Sequence, residues 1–466
     1  MTQLPSPAPT VAVIGGGLAG LSASCALANA GFHVTLFEKR PYLGGRASSY
    51  QHPGTGEIVD NCQHVLLGCC TNLIDFYRRI GVQEKIRWFD RLTFLEPGGR
   101  QSVISSSFLP APFHSAPSFL GATSLTFGDK IGIARAMLVI ARKLPDNGDQ
   151  NFLQWLRRYG QTQHAIEHFW KVVLVSALND ELEHISARYG AQVFRESFLK
   201  SAQAGRIGIP TVPLTDLYDA GGEYIVARGG AVQLRAGLES FRPLNDNVVL
   251  CVTGHEQHAD FAILALPFNS VSTLLPQAVE ADGLRTSAAQ LESSPITGIH
   301  LWFDRQITDL EHAVLLDRTI QWMFHKSKLL GRNPSAGSYV ELVVSSSKTL
   351  VDKSKMEIVD LAVAELGDFF PLARNAKLVK SAVIKEVHAT YSPAPGVDKY
   401  RPASATLWPR VFLSGDWITT GWPATMEGAV RSGYIAAEAV AHAAGLTEAK
   451  FMVPDLPAAG IMRLVG

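Results

Sequence analysis

The chain opens with a strand, a glycine-rich turn, a helix and a second strand that ends in an acid. Residues 11–14 (VAVI) read as a short buried strand, residues 18–29 as a helix of small and apolar side chains, and residues 33–37 (HVTLF) as the next strand. This order is typical of a βαβ unit with a parallel pair of strands. It therefore predicts an α/β fold and leaves little room for an all-helical or all-strand chain.

The turn carries the spacing Gly15-x-Gly17-x-x-Gly20 between the first strand and the helix. Glycines at these positions let backbone amides and the positive end of the helix approach a pyrophosphate. Glu38 closes the second strand, where a carboxylate can accept hydrogen bonds from both hydroxyls of an adenosine ribose. An ordinary glycine-rich turn is the alternative. The complete order of elements instead favours a Rossmann-like, dinucleotide-binding domain.

Two later segments favour FAD over NAD as the dinucleotide. Gly44, Gly45 and Arg46 place a turn and a guanidinium after Glu38, near the expected pyrophosphate. Asp416 follows the strand VFLS, where an acid can hold ribityl hydroxyls, although it could also be an ordinary cap or turn residue. A helix starting near Thr425 would point its positive end at the flavin ring. A second glycine fingerprint for a pyridine nucleotide is absent from the sequence, so the electron donor is not identified.

Charge and cysteine content exclude several other classes. The 42 Lys and Arg residues balance 42 Asp and Glu residues, so no basic excess is available for binding nucleic acid. The five cysteines fit neither a disulfide framework nor a metal-binding spacing, which favours a reduced, cytoplasmic compartment. The proline-containing N-terminus does not read as a signal peptide, and the strongest apolar run, residues 131–141, is too short to cross a membrane.

The pattern along the chain predicts two interleaved domains. A discontinuous FAD-binding domain comprises residues 1–95, 216–285 and 403–446, a substrate-binding domain comprises residues 96–215 and 286–402, and residues 447–466 form a C-terminal tail. Alternation at 297–303, 339–344 and 378–387 predicts an antiparallel sheet in the second domain. Helices are predicted at 130–143, 150–178, 231–241, 354–370 and 425–444, and further strands at 247–252 and 261–266.

Several segments resemble the amine oxidase and phytoene desaturase superfamily of FAD-dependent oxidoreductases. They are IGGGLAG (14–20), FEKR (37–40), GGR (44–46), RGGAVQL (228–234), LALP (264–267) and the GDW and MEGAVRSG stretch (415–433). Within this group, DNCQHVLLG (60–68), ALND (177–180) and the RGG segment are similar to the hydroxysqualene dehydroxylases of bacterial hopanoid synthesis, also called squalene-associated FAD-dependent desaturases. Cys62 stands where that family is expected to have glycine.

The resemblance implies an amine-oxidase-like two-domain flavoprotein with a Rossmann-like FAD domain and an α+β substrate domain. It implies non-covalent FAD contacts from Gly15, Gly17, Leu18, Ala19, Gly20, Glu38, Lys39, Gly45, Arg46, Val249, Gly415, Asp416, Met426 and Ala429. It also implies a reaction in which hydroxysqualene and reduced FAD give squalene, water and oxidised FAD. Loss of the allylic hydroxyl needs a proton donor and a dry, apolar cavity.

His64, in the DNCQH loop, is the preferred proton donor, and Asn61, Gln63 and Asn179 are further candidates for holding the hydroxyl or the ring. Each of these side chains could instead be structural, in which case Asp60, Glu427 or an ordered water would supply the proton. Another superfamily oxidation, such as carotenoid desaturation, or a non-enzymatic prenyl-lipid carrier remains open as an alternative function.

Two histidine patterns and one apolar segment remain outside the flavin-binding motifs. His164, Glu167 and His168 match an inverted zinc-protease motif, but no third ligand is evident, so the sequence predicts no metal site. His255 and His258 are expected in a polar loop. The Ser/Pro/Phe-rich stretch 101–128 and the helix 130–143 are interpreted either as a lipid entrance in peripheral contact with the inner face of a membrane or as ordinary core-facing elements.

Overall fold

The computed structural model describes residues 7–146, 148–333 and 337–465. Twenty strands are assigned within these residues: β1 (Thr10–Ile14), β2 (His33–Glu38), β3 (Ser49–Gln51), β4 (Ile58–Asp60), β5 (Leu66–Leu67), β6 (Ile86–Phe89), β7 (Arg91–Leu95), β8 (Gln101–Ser105), β9 (Ile207–Pro210), β10 (Ala231–Leu234), β11 (Leu238–Pro243), β12 (Val248–Val252), β13 (His255–Ala259), β14 (Phe261–Leu264), β15 (Ser293–Phe303), β16 (His312–Leu315), β17 (Trp322–Phe324), β18 (Ser338–Ser345), β19 (Leu378–Tyr391) and β20 (Val411–Leu413).

The α-helices within the same residues are α1 (Leu18–Asn29), α2 (Thr71–Arg79), α3 (Ala116–Gly121), α4 (Phe127–Arg142), α5 (Phe152–Arg158), α6 (Gln163–Ala165), α7 (Val172–Leu178), α8 (Ala187–Phe194), α9 (Leu214–Val226), α10 (Phe268–Leu274), α11 (Asp282–Ala289), α12 (Lys326–Leu329), α13 (Lys355–Phe369) and α14 (Met426–Ala443). In the part of the chain that the structure describes, no helix is long and apolar enough to cross a bilayer.

A five-stranded parallel sheet confirms the predicted Rossmann-like arrangement. Its order is β10-β2-β1-β14-β20, and every neighbouring pair runs parallel. The predicted strands at 11–14 and 33–37 and the predicted helix at 18–29 appear as β1, β2 and α1. Because both faces of this sheet are covered, β1 and β14 are buried almost along their whole length. The carboxyl ends of these strands meet at one edge, where nucleotides bind in open α/β sheets.

The second large sheet has seven strands, in the order β19-β15-β18-β17-β16-β7-β8. Strand β15 pairs antiparallel with β18 and β19, as predicted, and the β16–β7 pair is parallel, so the sheet is mixed. Helix α13 packs its buried residues into the core of this sheet. Since β7 joins this sheet, one strand of the segment predicted for the FAD-binding domain lies on the substrate side. The remaining domain boundaries stay a prediction.

Three predictions of local structure are wrong. Residues 231–241 form strands β10 and β11 around a turn rather than a helix, since β10 pairs with β2 at the edge of the parallel sheet. The predicted helix 150–178 is broken after α5, where Gly160 has a φ of 65°. It resumes at α6 and includes a π-helical segment, Ile166–Lys171, before α7. His255 and His258 lie on strand β13, which pairs with β12, and not in a loop.

Candidate flavin and substrate site

A cavity of ≈ 710 Å³ runs from the glycine turn after β1 to the seven-stranded sheet. Most residues predicted to bind FAD line it: Gly15, Gly17, Leu18, Ala19, Glu38, Lys39, Gly45, Arg46, Gly415, Asp416, Met426 and Ala429. The four candidates for catalysis, Asn61, Gln63, His64 and Asn179, line the same cavity. Tertiary folding therefore brings the predicted cofactor and substrate residues, which are far apart in the sequence, around one space.

The glycines of the turn after β1 have different roles. Gly15 has a φ of +109°, and a Cβ added there would lie 2.3 Å from the carbonyl oxygen of Ala265. A Cβ on Gly20 would lie 1.8 Å from the Gly15 carbonyl oxygen, so Gly20 allows α1 to pack closely against the turn. Gly20 does not line the cavity. Gly17 is the N-cap of α1, and the nearest atom to a Cβ added there would be the Gly45 Cα, at 3.9 Å. The helix amides beside Gly17 are therefore accessible to a phosphate.

Glu38 is held in place before any ribose binds. One carboxylate oxygen accepts a hydrogen bond from the Gly16 amide at 2.6 Å, and the other accepts from the Arg40 amide at 2.8 Å. The residue is buried but still lines the cavity. Each carboxylate oxygen retains a further lone pair, so two hydroxyls of a ribose can be accepted together.

Val249 is the second predicted cofactor residue that does not line the cavity. It is buried on β12, whereas Ala236, Gly237 and Leu238 of the turn after β10 line the cavity. The Ala236 amide donates to the Glu38 carbonyl at 2.9 Å, which fixes this turn next to the expected adenosine. Because a helix was predicted at 231–241, these residues were missed as candidates for cofactor binding. The β-branched and alternating residues of AVQL were the signal that could have found them.

Arg46 and Asp416 form an ion pair across the cavity wall. The Arg46 guanidinium donates to Asp416 Oδ1 at 2.8 Å and to the Ala389 carbonyl on β19 at 2.7 Å. It thus joins the turn after β2, the start of the segment after β20 and the substrate-side sheet. Because the residues come from three separate parts of the sequence, the pairing could not be read from their spacing.

Asp416 sits on a rigid turn. Gly415 has a φ of +143°, a Cβ there would lie 2.7 Å from the Trp417 ring, and its amide donates to Ser432 Oγ at 2.8 Å. Buried Arg401 donates to the carbonyl oxygens of Asp416, Trp417 and Trp422. This turn leads into α14, whose first residue, Met426, lines the cavity. The predicted positive helix end near residue 425 is thus at the cavity, and Arg401 is a structural residue that the sequence analysis missed.

The loop after β4 carries the remaining polar groups. Asn61 Nδ2 donates to the Arg46 carbonyl and to Glu386 Oε2, each at 3.1 Å. Glu386, on β19, also lines the cavity and was missed, because a single acid in an alternating strand gives no signal in the sequence. Asn61 therefore ties the loop to the substrate-side sheet, and Glu386 is the acid next to it.

The neutral form of His64 is fixed in one tautomer. Its Nδ1 lies 2.7 Å from the Cys62 carbonyl oxygen, and since that oxygen can only accept, Nδ1 carries the hydrogen. Nε2 of the neutral ring is then a hydrogen-bond acceptor. Burial lowers the pKa of His64 below its ordinary value, and the nearby Cys62 carbonyl and Asp60 oppose this shift only in part. His64 can donate a proton from Nε2 only in its doubly protonated form.

Asp60 and Glu427, the alternative proton donors, both make structural contacts. Asp60 forms a buried ion pair with Lys326 at 2.6 Å, and Lys326 together with hydrogen bonds from Ser49 and Leu214 lowers its pKa. Glu427 accepts from the Leu73 amide at 2.8 Å and pairs with Arg431 at 2.7 Å. Both carboxylates are therefore engaged in structural bonds, and for Asp60 the lowered pKa also disfavours the protonated form.

Asn179 lines the cavity, and both hydrogens of its amide nitrogen are used in hydrogen bonds within the protein. Its Nδ2 donates to the Ser294 carbonyl and to Thr390 Oγ1, each at 2.9 Å, and its Oδ1 accepts from the Ser346 amide at 2.7 Å. It also ends α7 in the left-handed conformation, with a φ of 55°. These contacts give Asn179 a structural role at the junction of α7 with the sheet, and its contact with the substrate stays a prediction.

The substrate side of the cavity is mainly apolar. Its hydrophobic wall comprises Phe89, Leu92, Ile104, Val173, Phe198, Leu274, Ile296, Trp322, Phe324 and Val343. These side chains come from strands, helices and loops on both sides of the sequence midpoint. A long hydrocarbon can be buried against such a wall, and the polar groups that line the cavity include Asn61, Gln63, His64 and Glu386.

The zinc-protease-like motif does not form a metal centre. His164 Nδ1 contacts Asp129 at 2.8 Å, and His168 Nε2 contacts Asp317 at 3.1 Å. The two rings stack with centroids 4.1 Å apart. Within residues 7–146, 148–333 and 337–465, no group of three or more His, Cys, Asp or Glu side chains is arranged to hold a metal.

Comparison with known proteins agrees with this geometry. The family described as flavin containing amine oxidoreductase matches residues 18–441. A 15-cis-phytoene desaturase of Synechococcus elongatus is 28% identical, with 92% of this chain and 95% of that protein aligned. A zeta-carotene desaturase of Synechocystis sp. is 26% identical, with 92% and 96% aligned.

Solved structures share the fold. An oxidoreductase from Methanosarcina mazei has a TM-score of 0.70 at 17% identity, covering 91% of this chain and 98% of its own. Putrescine oxidase with bound putrescine has a TM-score of 0.70 at 16% identity, covering 96% and 100%. These likenesses confirm the two-domain, amine-oxidase-like FAD-binding fold, and the cradle of Gly17, Glu38, Arg46 and Asp416 fits FAD. The chain belongs to the flavin-containing amine oxidoreductase family and is an FAD-dependent oxidoreductase.

Proposed function

We propose that this protein reductively removes the hydroxyl group of hydroxysqualene to give squalene. The observation that carries the proposal is the lining of a single cavity, in which His64 and Glu386 occur together with an apolar wall and the predicted FAD residues. A hydrocarbon substrate needs only the apolar wall. An allylic alcohol needs in addition groups that bind its oxygen and protonate it as it leaves.

Bound reduced FAD supplies the hydride that replaces the hydroxyl. The protein has the remaining tasks. Protonated His64 donates its Nε2 proton to the hydroxyl, so that water leaves instead of hydroxide. The apolar wall excludes bulk water from the delocalised allylic cation until that cation is reduced. Atoms and electrons balance, because one proton and one hydride convert the alcohol to the hydrocarbon and water.

The alternative in the same family is oxidation of an apolar substrate, and the desaturase relatives favour it as the second candidate. The two reactions run electrons in opposite directions. Anaerobic photoreduced enzyme should be reoxidised by hydroxysqualene, with squalene released in proportion to flavin. Oxidised enzyme that is instead bleached by 15-cis-phytoene or zeta-carotene would favour a desaturase, and reoxidation without squalene would contradict dehydroxylation. A carrier without FAD would purify colourless.

The substrate is expected to enter from a membrane. The segment 104–115 contributes Ile104 and His114 to the cavity, and it also carries Phe108, which is 96% exposed. Phe127 at the start of α4 is 73% exposed, and Leu464 of the C-terminal turn is 85% exposed. This turn lies against the segment 104–115, because the Ile461 amide donates to the Ala111 carbonyl. Exposed apolar side chains beside a lipid cavity favour insertion into the surface of a bilayer.

Basic side chains accompany these aromatic residues. Arg135, Arg142 and Lys143 are exposed on or just after α4, which suits a surface of anionic lipid. The double variant Phe108→Ser and Phe127→Ser should lose sedimentation with vesicles of phosphatidylglycerol while retaining FAD. Val279→Ser, at an 84% exposed apolar position outside this segment, is the matched control. Equal sedimentation of both variants would contradict membrane docking through this segment.

A further inference from the structure

A buried lysine lies directly behind the loop that carries His64. Lys326, the first residue of α12, is only 2% exposed and does not line the cavity. Its Nζ lies 2.6 Å from Asp60 Oδ2 and 2.8 Å from Gln63 Oε1. Glu341 on β18 lies 3.6 Å away. A lysine ammonium from the substrate-side sheet therefore contacts both ends of the segment 60–63.

The ammonium determines which way the Gln63 amide is turned. A lysine ammonium has three donors and no acceptor, so the Gln63 atom that faces Nζ must be the carbonyl oxygen. The Gln63 nitrogen is then directed away from Lys326 and donates to the His64 carbonyl at 3.0 Å. An amide nitrogen carries two hydrogens, and Gln63 lines the cavity. One N–H remains for a group within the cavity.

We propose that Lys326 is a positioning residue that holds Gln63 as a hydrogen-bond donor to the oxygen of the substrate alcohol. The assignment rests on the proposed dehydroxylation. It gives the site two groups for the alcohol. His64 Nε2 accepts from the O–H while the ring is neutral and donates to the oxygen once the ring is protonated for the reaction, and Gln63 donates to the oxygen in both states. Squalene has no oxygen and makes neither bond, so this pair of groups lets the enzyme prefer its substrate over its product.

Asp60 holds Lys326 in turn. Its second oxygen, Oδ1, accepts from Ser49 Oγ at 2.6 Å and from the Leu214 amide at 3.2 Å. Asp60 on β4, held by Ser49 and the start of α9, thus fixes the Lys326 ammonium, and the ammonium fixes Gln63. Sequence patterns gave no signal for it, because a lysine in the FHKSK segment reads as an exposed charge.

The test compares the binding of hydroxysqualene and squalene to the oxidised, FAD-loaded enzyme, followed by the change in the flavin absorbance spectrum. Gln63→Glu retains an oxygen facing Lys326 but removes the N–H donor. It should weaken hydroxysqualene binding by about ten-fold, as expected for one lost hydrogen bond, and leave squalene binding unchanged. Lys326→Met should have the same alcohol-selective effect.

Lys326→Met leaves a buried aspartate without its partner, which is destabilising. The double variant Lys326→Met with Asp60→Asn removes both charges and should fold while retaining the selective defect. Lys326→Arg should restore part of the preference. Lys328→Met removes a partly exposed lysine on the same helix, which pairs with exposed Asp309, and should behave as wild type.

An equal loss for both ligands in Gln63→Glu would mean general damage to the loop and would overturn the assignment. So would unchanged hydroxysqualene binding in that variant. If the wild-type enzyme itself neither binds hydroxysqualene nor is reoxidised by it, the proposed function fails and the inference fails with it. By contrast, the wild-type enzyme could react with hydroxysqualene while Gln63→Glu keeps the wild-type preference for hydroxysqualene over squalene. In that case only the inference about Lys326 and Gln63 fails.

Discussion

The cofactor half and the substrate half of the cavity are built in different ways. The cofactor half depends on short continuous segments, in which Glu38 is fixed by the amides of Gly16 and Arg40. The substrate half collects single residues from the loop after β4, from β17, β18, β19 and α7, and from the segment 104–115. A backbone-built site tolerates change in its surroundings, whereas a site built from distant side chains depends on each long-range contact. The five predictions below test this difference.

The largest effect is expected from Glu38→Arg, which should release FAD. The substitution removes the carboxylate held by two backbone amides and brings a guanidinium toward the expected adenosine ribose. The ratio of flavin to protein absorbance measures the occupancy. Glu84→Arg, at an exposed position after α2, should keep its flavin. Full occupancy in Glu38→Arg would show that the ribose is bound elsewhere.

His64→Ala should slow single-turnover flavin reoxidation by hydroxysqualene by about 10²–10⁴-fold while FAD stays bound, as expected for loss of general acid catalysis. Added imidazole should restore part of the rate. Turnover within a few-fold of wild type would reduce His64 to a loop residue and turn attention to Glu386 or an ordered water.

The pH dependence of the same reaction sharpens this prediction. Because burial lowers the pKa of His64, the ring is mainly neutral at pH 7, and the donating, doubly protonated form increases as the pH falls. The single-turnover rate should therefore rise from pH 8 toward pH 6 in the wild type. The slope should disappear in His64→Ala. A wild-type rate that rises with increasing pH would contradict the proton-donor role.

Asp416→Ala should weaken FAD binding by about 1–3 kcal/mol, the magnitude for a charge-assisted hydrogen bond left unmade. The variant also leaves the Arg46 guanidinium without its carboxylate partner. Titration of the apoprotein with FAD measures the dissociation constant, and Asp309→Ala, whose side chain is 98% exposed, is the control. An unchanged dissociation constant would count against contact between Asp416 and the ribityl chain.

The smallest effect concerns Glu341 in the substrate half. Burial raises the pKa of Glu341 to about 8 from its ordinary value of 4.5, although Lys326 opposes the shift. Asp60, the Cys62 thiol and His300, directly across the strand pair, also face it. A carboxyl group whose pKa is raised in the folded state lowers the free energy of unfolding of the protein as the pH rises from 4.5 to 8. The reason is that the unfolded chain releases this proton at a lower pH than the folded chain does.

Glu341→Gln lacks this penalty. The melting temperature of Glu341→Gln should therefore exceed that of the wild type by an amount that grows between pH 5 and pH 8 and is constant above that. Thermal melts across this range measure the gap, with Glu84→Gln as the exposed control. A gap independent of pH would mean that Glu341 is already ionised at pH 5.

Much of the fold could be predicted because its signals are local. The helix at 18–29 was predicted with the observed bounds, and the alternating strands at 297–303 and 339–344 lie within β15 and β18. The failure at 231–241 has a tertiary cause, since four residues become a strand only by pairing with β2. Gly20 belongs to the predicted glycine fingerprint. In the structure its role is to let α1 pack closely against the glycine turn.

The sequence by itself determined the glycine turn and the ribose-binding acid of the cofactor half, because glycines, a helix start and Glu38 act through neighbouring backbone and need only the βαβ unit to be correctly arranged. Only the tertiary structure decided the substrate half. There the state of Asp60, the orientation of Gln63 and the role of Asn179 depend on Lys326, Ser294, Ser346 and Thr390, which lie more than a hundred residues away. Hydrogen-bonding capacity is set by the partner that folding brings, and spacing along the chain does not encode that partner.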